Sequence, residues 1–455
     1  MPLKIYNTLS KNFEILEPVS PPKVGIYMCG MTVQDRPHLG HMRTFLFGDV
    51  LRRYLEYKGF EVIYIQNFTD IDDKIIQKSK EQGIDWRHLG EINVQEYIES
   101  ANKLNLKPAT YNPRATQFIQ EIIEMIELLV KKGFAYESNG NVYFDVLKFH
   151  DYGKLSGKKL DELIESYRIE PDPNKKNSFD FALWKAQKEG EPYWHSPWGK
   201  GRPGWHIECS VMSTHFLGQP FDIHMGGQDL IFPHHEDEIA QSEAAFEKDF
   251  AKYWIHTAPM LLKGEKMSKS TGLYFAIKDL LNQYTPEAIR LFILQKHYRS
   301  PAEYIPEFLE DAERAVDRIK AFLKSLPDVE KPELNAEYIK KFEEAMDDDI
   351  NTPKAVGILF EIIKAGNQKI QHGELPVQEK STLLFLLETL GFNTVNLKAS
   401  KIETDIIKDL IRLILDVRKE LRASKNFYLA DHIRESLEKL GIKVKDTKEG
   451  YSFEL

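Results

Sequence analysis

Residues 24–66 read VGIYMCGMTVQDRPHLGHMRTFLFGDVLRRYLEYKGFEVIYIQ. The apolar run 24–29 (VGIYMC) predicts a short strand, and the turn GMTVQDRPHLGH follows it. After Gly40 the pattern becomes helical: Leu46, Val50 and Leu55 recur at near-helical spacing, and Gly59 supplies a C-terminal stop. EVIYIQ (61–66) predicts a second strand, and NFTDIDDKI opens another helix. Strand, glycine-containing turn, helix, strand is how a parallel α/β sheet begins. Ligands of such sheets sit at the carboxyl ends of the strands. Cys29, His38, His41 and Thr69 all fall at such ends.

Outward from this unit, Thr110 to Gly133 predicts an amphipathic helix with Phe118, Ile122, Met125 and Leu129 as its stripe. A hairpin strand, GNVYFDV (140–146), and a polar Lys- and Pro-rich stretch run on to about residue 200. We read 113–200 as an insertion between two halves of one sheet, which resumes with FDIHMGG (221–227) as its fourth strand. From Pro306 to about Leu397 the pattern is helical, with Phe308, Ala312, Ala315, Ile319 and Phe322 on one face, and predicts a bundle. The tail 401–455 predicts a small mixed α/β unit ending in a hairpin around Glu449-Gly450.

Composition narrows the class. A chain of 455 residues holds about three domains. No run of about 18 apolar residues exists, so no membrane-spanning helix is expected. The N-terminal MPLKIYNTLSKNFE lacks the apolar core of a signal peptide. Two cysteines make a disulfide scaffold implausible and point to a reducing, cytoplasmic compartment. A net charge of −9 argues against a chain coated in basic nucleic-acid patches, without excluding a local positive surface.

Three stretches carry chemistry. GRPGWHIECSVMSTHFLGQPFDIHMGGQDLIFPHHEDE (201–238) holds Cys209 and ends in His234, His235, Glu236 and Glu238. His234 and Glu238 are four apart, one turn from each other on a helix face. A thiolate, an imidazole and a carboxylate together suit Zn²⁺ and suit Mg²⁺ or Ca²⁺ poorly. With Cys29, the other cysteine, they would make a four-donor centre for one ion. The alternatives are that the cysteines are small buried apolar residues and the histidines a surface turn, since the two cysteines match no local zinc spacing. Second, His38-Leu39-Gly40-His41 sits where strand turns to helix; the glycine admits a nucleotide and the helix start favours phosphate, although a capping or turn role is the default for the tetrapeptide taken alone. Third, Lys266-Met267-Ser268-Lys269-Ser270 places two ammonium groups around small hydroxyls, suited to close over a leaving pyrophosphate.

HLGH after the first strand and KMSKS after the last resemble the class I aminoacyl-tRNA synthetases. The blocks CGMTVQDRPHLGH, NFTDIDDKI, PRATQFI, GKLSG, GRPGWHIECS, FDIHMGGQDLIFPHHEDEIAQS and KMSKS, spread over 25–275, resemble the cysteinyl-tRNA synthetase family, as does the tail RASKNFYLADHIRESLEKLGIKVKDT. The resemblance implies a split Rossmann-type catalytic domain (1–112 and 201–245), a connective insertion (113–200) and a KMSKS-bearing stem-contact region (246–305). It further implies a helical bundle (306–400) and a C-terminal α/β unit (401–455), both facing the anticodon. One Zn²⁺ is expected on Cys29, Cys209, His234 and Glu238. The substrate thiolate is expected as a further ligand, so that Cys29 and His234 also border the substrate. Four protein donors normally mark a closed structural zinc, which makes that fifth place notable. Soft sulfur preference would then separate cysteine from serine by a factor of the order of 10⁴ without an editing domain.

Other implied roles follow residue by residue. Trp205 packs on the bound cysteine, an ordinary core tryptophan being its plainer alternative. Thr69 and Asp229 take the ammonium or the ribose. Gly40, His41, His224, Gly226, Gly227 and Lys269 line the ATP site, while His38, His41, Lys266 and Lys269 stabilise charge on the phosphates. Leu39 stands where the family usually has isoleucine. His235, Glu236 and Asp237 are expected only as polar helix surface. The implied partners are L-cysteine, ATP with Mg²⁺, and tRNA(Cys), handled by a monomer. Two rivals remain at this stage: a ligase passing the cysteinyl group to an amino-sugar, and a non-catalytic zinc-dependent RNA-binding module.

Overall fold

A hairpin of Lys4–Asn7 (β1) and Asn12–Ile15 (β2) opens the chain. Next comes Lys23–Met28 (β3), in which Val24, Ile26, Tyr27 and Met28 are all buried. Such a strand is covered on both faces, which is why it reads as an apolar run and not an alternation. The computed structural model describes residues 2–158, 172–262, 264–266, 274–326, 333–398, 401–447 and 450–454. It divides into two units, Met1–Thr394 and Val395–Leu455.

The expected crossover is present: β3, then the helix Leu39–Tyr57 (α1), then Glu61–Gln66 (β4), parallel to β3 in register from Lys23↔Glu61 to Met28↔Gln66. Gly30, just past β3, is required by close approach. A Cβ there would lie 1.6 Å from the Asn67 carbonyl oxygen, and its N–H donates to Asn67 Oδ1 at 2.8 Å. Asp73–Gln82 (α2) and Trp86–Lys103 (α3) follow β4.

The helix expected over 110–133 starts later, at Ile119–Lys132 (α4). Thr110 to Arg114 instead continue beside β4. Gln66 N donates to Tyr111 O, Phe68 N donates to Pro113 O, and isolated bridges join Ile65 to Tyr111 and Phe68 to Arg114. Pro113 biases Asn112 away from helical backbone, and that favours the extended path. The insertion then forms an antiparallel sheet from Ala135–Ser138 (β5), Asn141–Phe144 (β6), Phe181–Ala186 (β7), Trp194–Ser196 (β8) and Gly199–Pro203 (β9), ordered β5-β6-β7-β9-β8. Its core is continuous with that of the catalytic sheet: Ile122 and Leu129 of α4 share one buried cluster with Cys209 and Trp254.

The chain returns through Trp205–Leu217 (α5), Phe221–Gly227 (β10) and Glu236–Phe246 (α6) to Ala251–Thr257 (β11). The parallel sheet is ordered β11-β10-β3-β4. Phe221–Gly227 is therefore its third strand in chain order and not its fourth. The fourth, β11, lies beyond residue 245, where the catalytic part was expected to end. Sheet order runs outward in both directions from the β3/β10 pair, so this pair is the switch point at whose carboxyl end a ligand crevice opens.

Past β11, Met260–Leu262 (β12) and Glu265–Lys266 (β13) pair antiparallel, Leu261 opposite Lys266. Ile277–Leu281 (α7) and Pro286–Leu294 (α8) lead to the helices Pro306–Lys324 (α9), Ala336–Met346 (α10), Thr352–Gln371 (α11) and Val377–Thr389 (α12). Thr285 caps α8: its hydroxyl accepts from Ala288 N at 3.3 Å and donates to Glu313 at 2.9 Å. Thr285→Ala is expected to cost about 1 kcal/mol, read as a lower urea midpoint with unchanged slope.

The turn after α10 joins distant parts of the first unit. Asp349 Oδ1 accepts from Tyr6 N at 2.8 Å and from the Tyr298 hydroxyl at 2.7 Å, and its other oxygen accepts from Arg299 at 2.6 Å. Asp347 accepts from the hydroxyl of Tyr54, near the end of α1, at 2.7 Å. The second unit holds Lys401–Ala423 (α13), Phe427–Lys439 (α14) and the antiparallel pair Lys443–Thr447 (β14) and Gly450–Glu454 (β15). The two strands expected on either side of residues 449–450 thus pair, residues 448–449 themselves lying outside the described residues, and Ile411, Leu415, Leu437 and Val444 make the core of the unit.

Candidate functional site

At the carboxyl end of β3 and β10 lies a cavity of about 670 Å³. Cys29, His38, Gly40, His41, Trp205, Gly227 and Asp229 line it, as the sequence led us to expect. Thr69, Gly226 and His224 do not. Thr69 is buried, its N–H donating to Met31 O. His224, expected beside adenosine, is fully buried, stacks on Trp254 with centroids 4.4 Å apart, and places Nε2 2.8 Å from Glu238 Oε2. Gly226, also expected there, makes room for a different ring: a Cβ would lie 2.8 Å from His235 Cε1.

The four proposed donors converge from four segments. Cys29 follows β3, Cys209 sits in α5, His234 precedes α6 and Glu238 lies in its first turn; all are buried. The sulfurs are 3.8 Å apart, Cys29 Sγ is 3.6 Å from Glu238 Oε1, and His234 Nε2 is 3.1 Å from the same oxygen. The two cysteines are free thiols. Around a tetrahedral ion with M–S of about 2.3 Å and M–N or M–O of about 2.0–2.1 Å, the ligand edges are roughly 3.8 Å (S···S), 3.6 Å (S···O) and 3.3 Å (N···O). The observed separations match these edges, so the residues fit a tetrahedral cation.

Electrostatics points the same way. Burial, then the neighbouring Cys209 sulfur, pushes the Cys29 thiol and the Glu238 carboxyl well above their usual ranges. Burial also holds the His234 imidazole low despite the Glu238 carboxylate. The thiol and the carboxyl by themselves disfavour their charged forms, a preference that a bound divalent cation reverses, while the neutral imidazole is already the form that ligates a metal.

His235, Glu236 and Asp237, expected as helix surface, are instead buried and specifically bonded. Glu236 accepts from the Leu155 and Ser156 amides at 3.2 and 2.8 Å. Asp237 Oδ2 is 3.2 Å from His206 Nε2, whose Nδ1 is 2.8 Å from His234 Nδ1. Trp205 stacks on the His234 ring with centroids 4.2 Å apart. A carboxylate, a histidine and the candidate ligand thus form one chain, the usual way a metal-binding imidazole is oriented. Nothing local in the sequence marked this burial, because the partners lie 21 to 85 residues away or come from the other half of the sheet.

His38 and His41 form the cap considered for them and also line the cavity. His41 N donates to His38 Nδ1 at 3.2 Å and His38 N to His41 Nδ1 at 3.4 Å, a capping box at the start of α1, with the rings stacked 3.6 Å apart. Each Nδ1 is an acceptor, so each neutral ring carries its proton on Nε2. Lys74 and Lys78, one turn apart on α2, also line the cavity. Their i,i+4 spacing after NFTDID is the sequence signal that marks them. The backbone of Lys266 is placed beside Leu261 by the strand pairing, next to the lining residue Met260. Its side chain and all of Lys269 lie outside the described residues.

Comparison with known proteins now adds to this geometry. A family model described as the class I (C) tRNA synthetase catalytic domain matches residues 15–314, and a DALR domain model matches 341–393. The chain is 49% identical to the cysteine–tRNA ligase of Pyrococcus abyssi, over 98% of this chain and 97% of that one. It is 47% identical to the ligases of Thermococcus gammatolerans (99% of this chain, 98% of that one) and Carboxydothermus hydrogenoformans (98% and 99%). Among solved structures, Mycobacterium tuberculosis methionyl-tRNA synthetase in complex with methionyl-adenylate superposes with a TM-score of 0.59 at 14% identity, covering 81% of this chain and 89% of that one. The Agrobacterium radiobacter K84 LeuRS of a ternary complex gives 0.61 at 10% identity over 85% and 86%. These structures share the fold.

Proposed function

This chain belongs to the cysteine–tRNA ligase family of class I tRNA synthetases, and we propose that it joins L-cysteine to ATP and passes the cysteinyl group to the terminal ribose of tRNA(Cys). The observation that carries this reading is the convergence of Cys29, Cys209, His234 and Glu238, of which Cys29 lines the cavity that His38 and His41 border. We assign Zn²⁺ to this tetrad because two sulfurs, one nitrogen and one oxygen suit it best. Bound there, zinc supplies a soft Lewis-acid centre that favours a thiolate over an alcohol.

The chain's own residues do the rest. Trp205 braces the His234 ring and, from the cavity wall, packs on the bound cysteine side chain. Asp229, on the same wall, is the anionic partner for the substrate ammonium. The cysteine carboxylate oxygen attacks the α-phosphorus, forming a C–O–P linkage as the bond to pyrophosphate breaks. The Nε2–H groups of His38 and His41, fixed by the capping box, donate to the developing charge, with Lys266 and Lys269 assigned to the departing pyrophosphate. A ribose hydroxyl of the tRNA then attacks the carbonyl carbon and releases AMP. Mg²⁺ accompanies ATP. We place the anticodon end of the tRNA on 306–400 and 401–455, the stem on 246–305, and the protein in the cytoplasm as a monomer. Relatives matching over nearly the whole chain favour tRNA over an amino-sugar acceptor.

Cysteine-dependent ATP–pyrophosphate exchange, followed by charging of tRNA(Cys), tests the reading. Exchange without charged tRNA would move the acceptor assignment to a small amine. His41→Ala is expected to lower kcat for exchange by about 10²-fold, the usual cost of one transition-state donor, with little change in KM for cysteine. A rise in KM with kcat unchanged would place His41 in substrate binding instead.

A further inference from the structure

Four protein donors normally close a tetrahedral ion, yet the reading above needs affinity for one more sulfur. The groups behind Cys29 bear on this. His235 Nε2 lies 3.3 Å from Cys29 Sγ, His235 Nδ1 is 2.8 Å from His256 Nε2, and His256 Nδ1 is 2.8 Å from Thr8 Oγ1. Both rings are buried, and Gly226 leaves the space that the His235 ring fills. Thr8 is itself held by its amide, which donates to Trp254 O at 2.8 Å.

The direction of each link is forced. A metal-binding thiolate can only accept, so His235 Nε2 carries hydrogen. A neutral imidazole has one N–H, so His235 Nδ1 must accept, and His256 Nε2 must donate to it. His256 Nδ1 then accepts from the Thr8 hydroxyl. Two thiolates and one carboxylate bring three negative charges to a doubly charged ion, which opposes entry of another anion. A hydrogen bond to a ligand sulfur draws charge away from it and leaves the ion more acidic.

We propose that His235, held in one tautomer by His256 and Thr8, donates to Cys29 as a positioning and specificity-determining residue that preserves the metal's affinity for the substrate sulfur. The inference rests on the metal reading of the tetrad. His224, with Nε2 2.8 Å from Glu238 Oε2, acts in the same sense on the second anionic donor. Among the described residues, the chain ties the first hairpin of the protein to the electronic state of the centre.

The test uses the full-length protein reconstituted with Co²⁺ in place of zinc. In His235→Phe, the sulfur-to-cobalt charge-transfer band is expected to move to lower energy. The spectral change that cysteine produces on wild-type protein should weaken, and KM for cysteine should rise about tenfold with kcat little changed. Thr8→Val, which touches no ligand, should show the same changes to a smaller degree, and Thr8→Ser should restore them. An unchanged band and KM in Thr8→Val, or equal behaviour of the valine and serine variants, would overturn the proposal. So would loss of cobalt from a folded His235→Phe protein, since His235 would then be a ligand. Wild-type protein that takes up neither cobalt nor zinc would sink the metal reading instead.

Discussion

Cys209→Ser is expected to empty the metal centre and abolish cysteine activation together. Serine's hydroxyl stays protonated where a thiol would ionise, and its oxygen falls short of the place the sulfur occupies 3.8 Å from Cys29 Sγ. The three remaining donors, each disfavoured in its charged form by burial, then lack the fourth that makes the set tetrahedral. Losing a residue that only orients a ligand costs about 10–100-fold in metal affinity or activity, so losing a ligand should exceed about 10²-fold. Metal analysis of the purified variant should fall from about one ion per chain toward none, in step with pyrophosphate exchange. Unchanged metal content would contradict the ligand assignment, whatever happened to activity.

The second large effect lies away from the cleft, at Arg290 on α8. This side chain is buried, and its guanidinium spans three segments. It pairs with Asp49 of α1 at 2.7 Å, donates to Leu104 O at 3.0 Å, just beyond α3, and donates to Leu390 O at 2.6 Å, just beyond α12. Gly391, with φ +79°, is held to glycine partly by this arginine, since a Cβ would lie 2.1 Å from Nη1. Arg290→Leu removes a partner from a buried ion pair and leaves carbonyls without donors. The expected loss is about 3–5 kcal/mol, seen as a large drop in urea midpoint. Arg290→Lys should recover little, because an ammonium cannot reach three directions from one plane. A midpoint near wild type for both would mean that apolar packing alone joins these segments.

The parallel sheet was legible because its central strand is buried on both faces and is followed at once by a glycine turn and a capped helix. The tetrad was legible from donor chemistry, since its four residue types make sense together even though no local spacing links Cys29 to Cys209. What escaped was set by distant partners. The chain at 110–114 runs extended because β4 continues beside it, and Thr110, Tyr111, Asn112 and Pro113 are themselves poor helix formers, a signal that the helical stripe further on obscured. β11 was passed over because it falls after a helix that looked like a domain end. His235, Glu236 and Asp237 look like any charged helix start, and only residues 152–156, 206 and 256 make them interior.

The placement of Tyr6 has a consequence for how the protein is made. Its amide is held by Asp349, 343 positions later in the chain. A ribosome adding roughly 5–20 residues per second needs about 20 to 70 s to deliver that partner. Until then the first hairpin, with Leu3 and Ile5 destined for the interior, has only the part of its seat that β11 supplies, where Thr8 N donates to Trp254 O and Trp254 N to Asn7 Oδ1. This hairpin therefore completes its docking only after Asp349 has been made, and faster translation would shorten the period in which it is open to chaperones or to self-association.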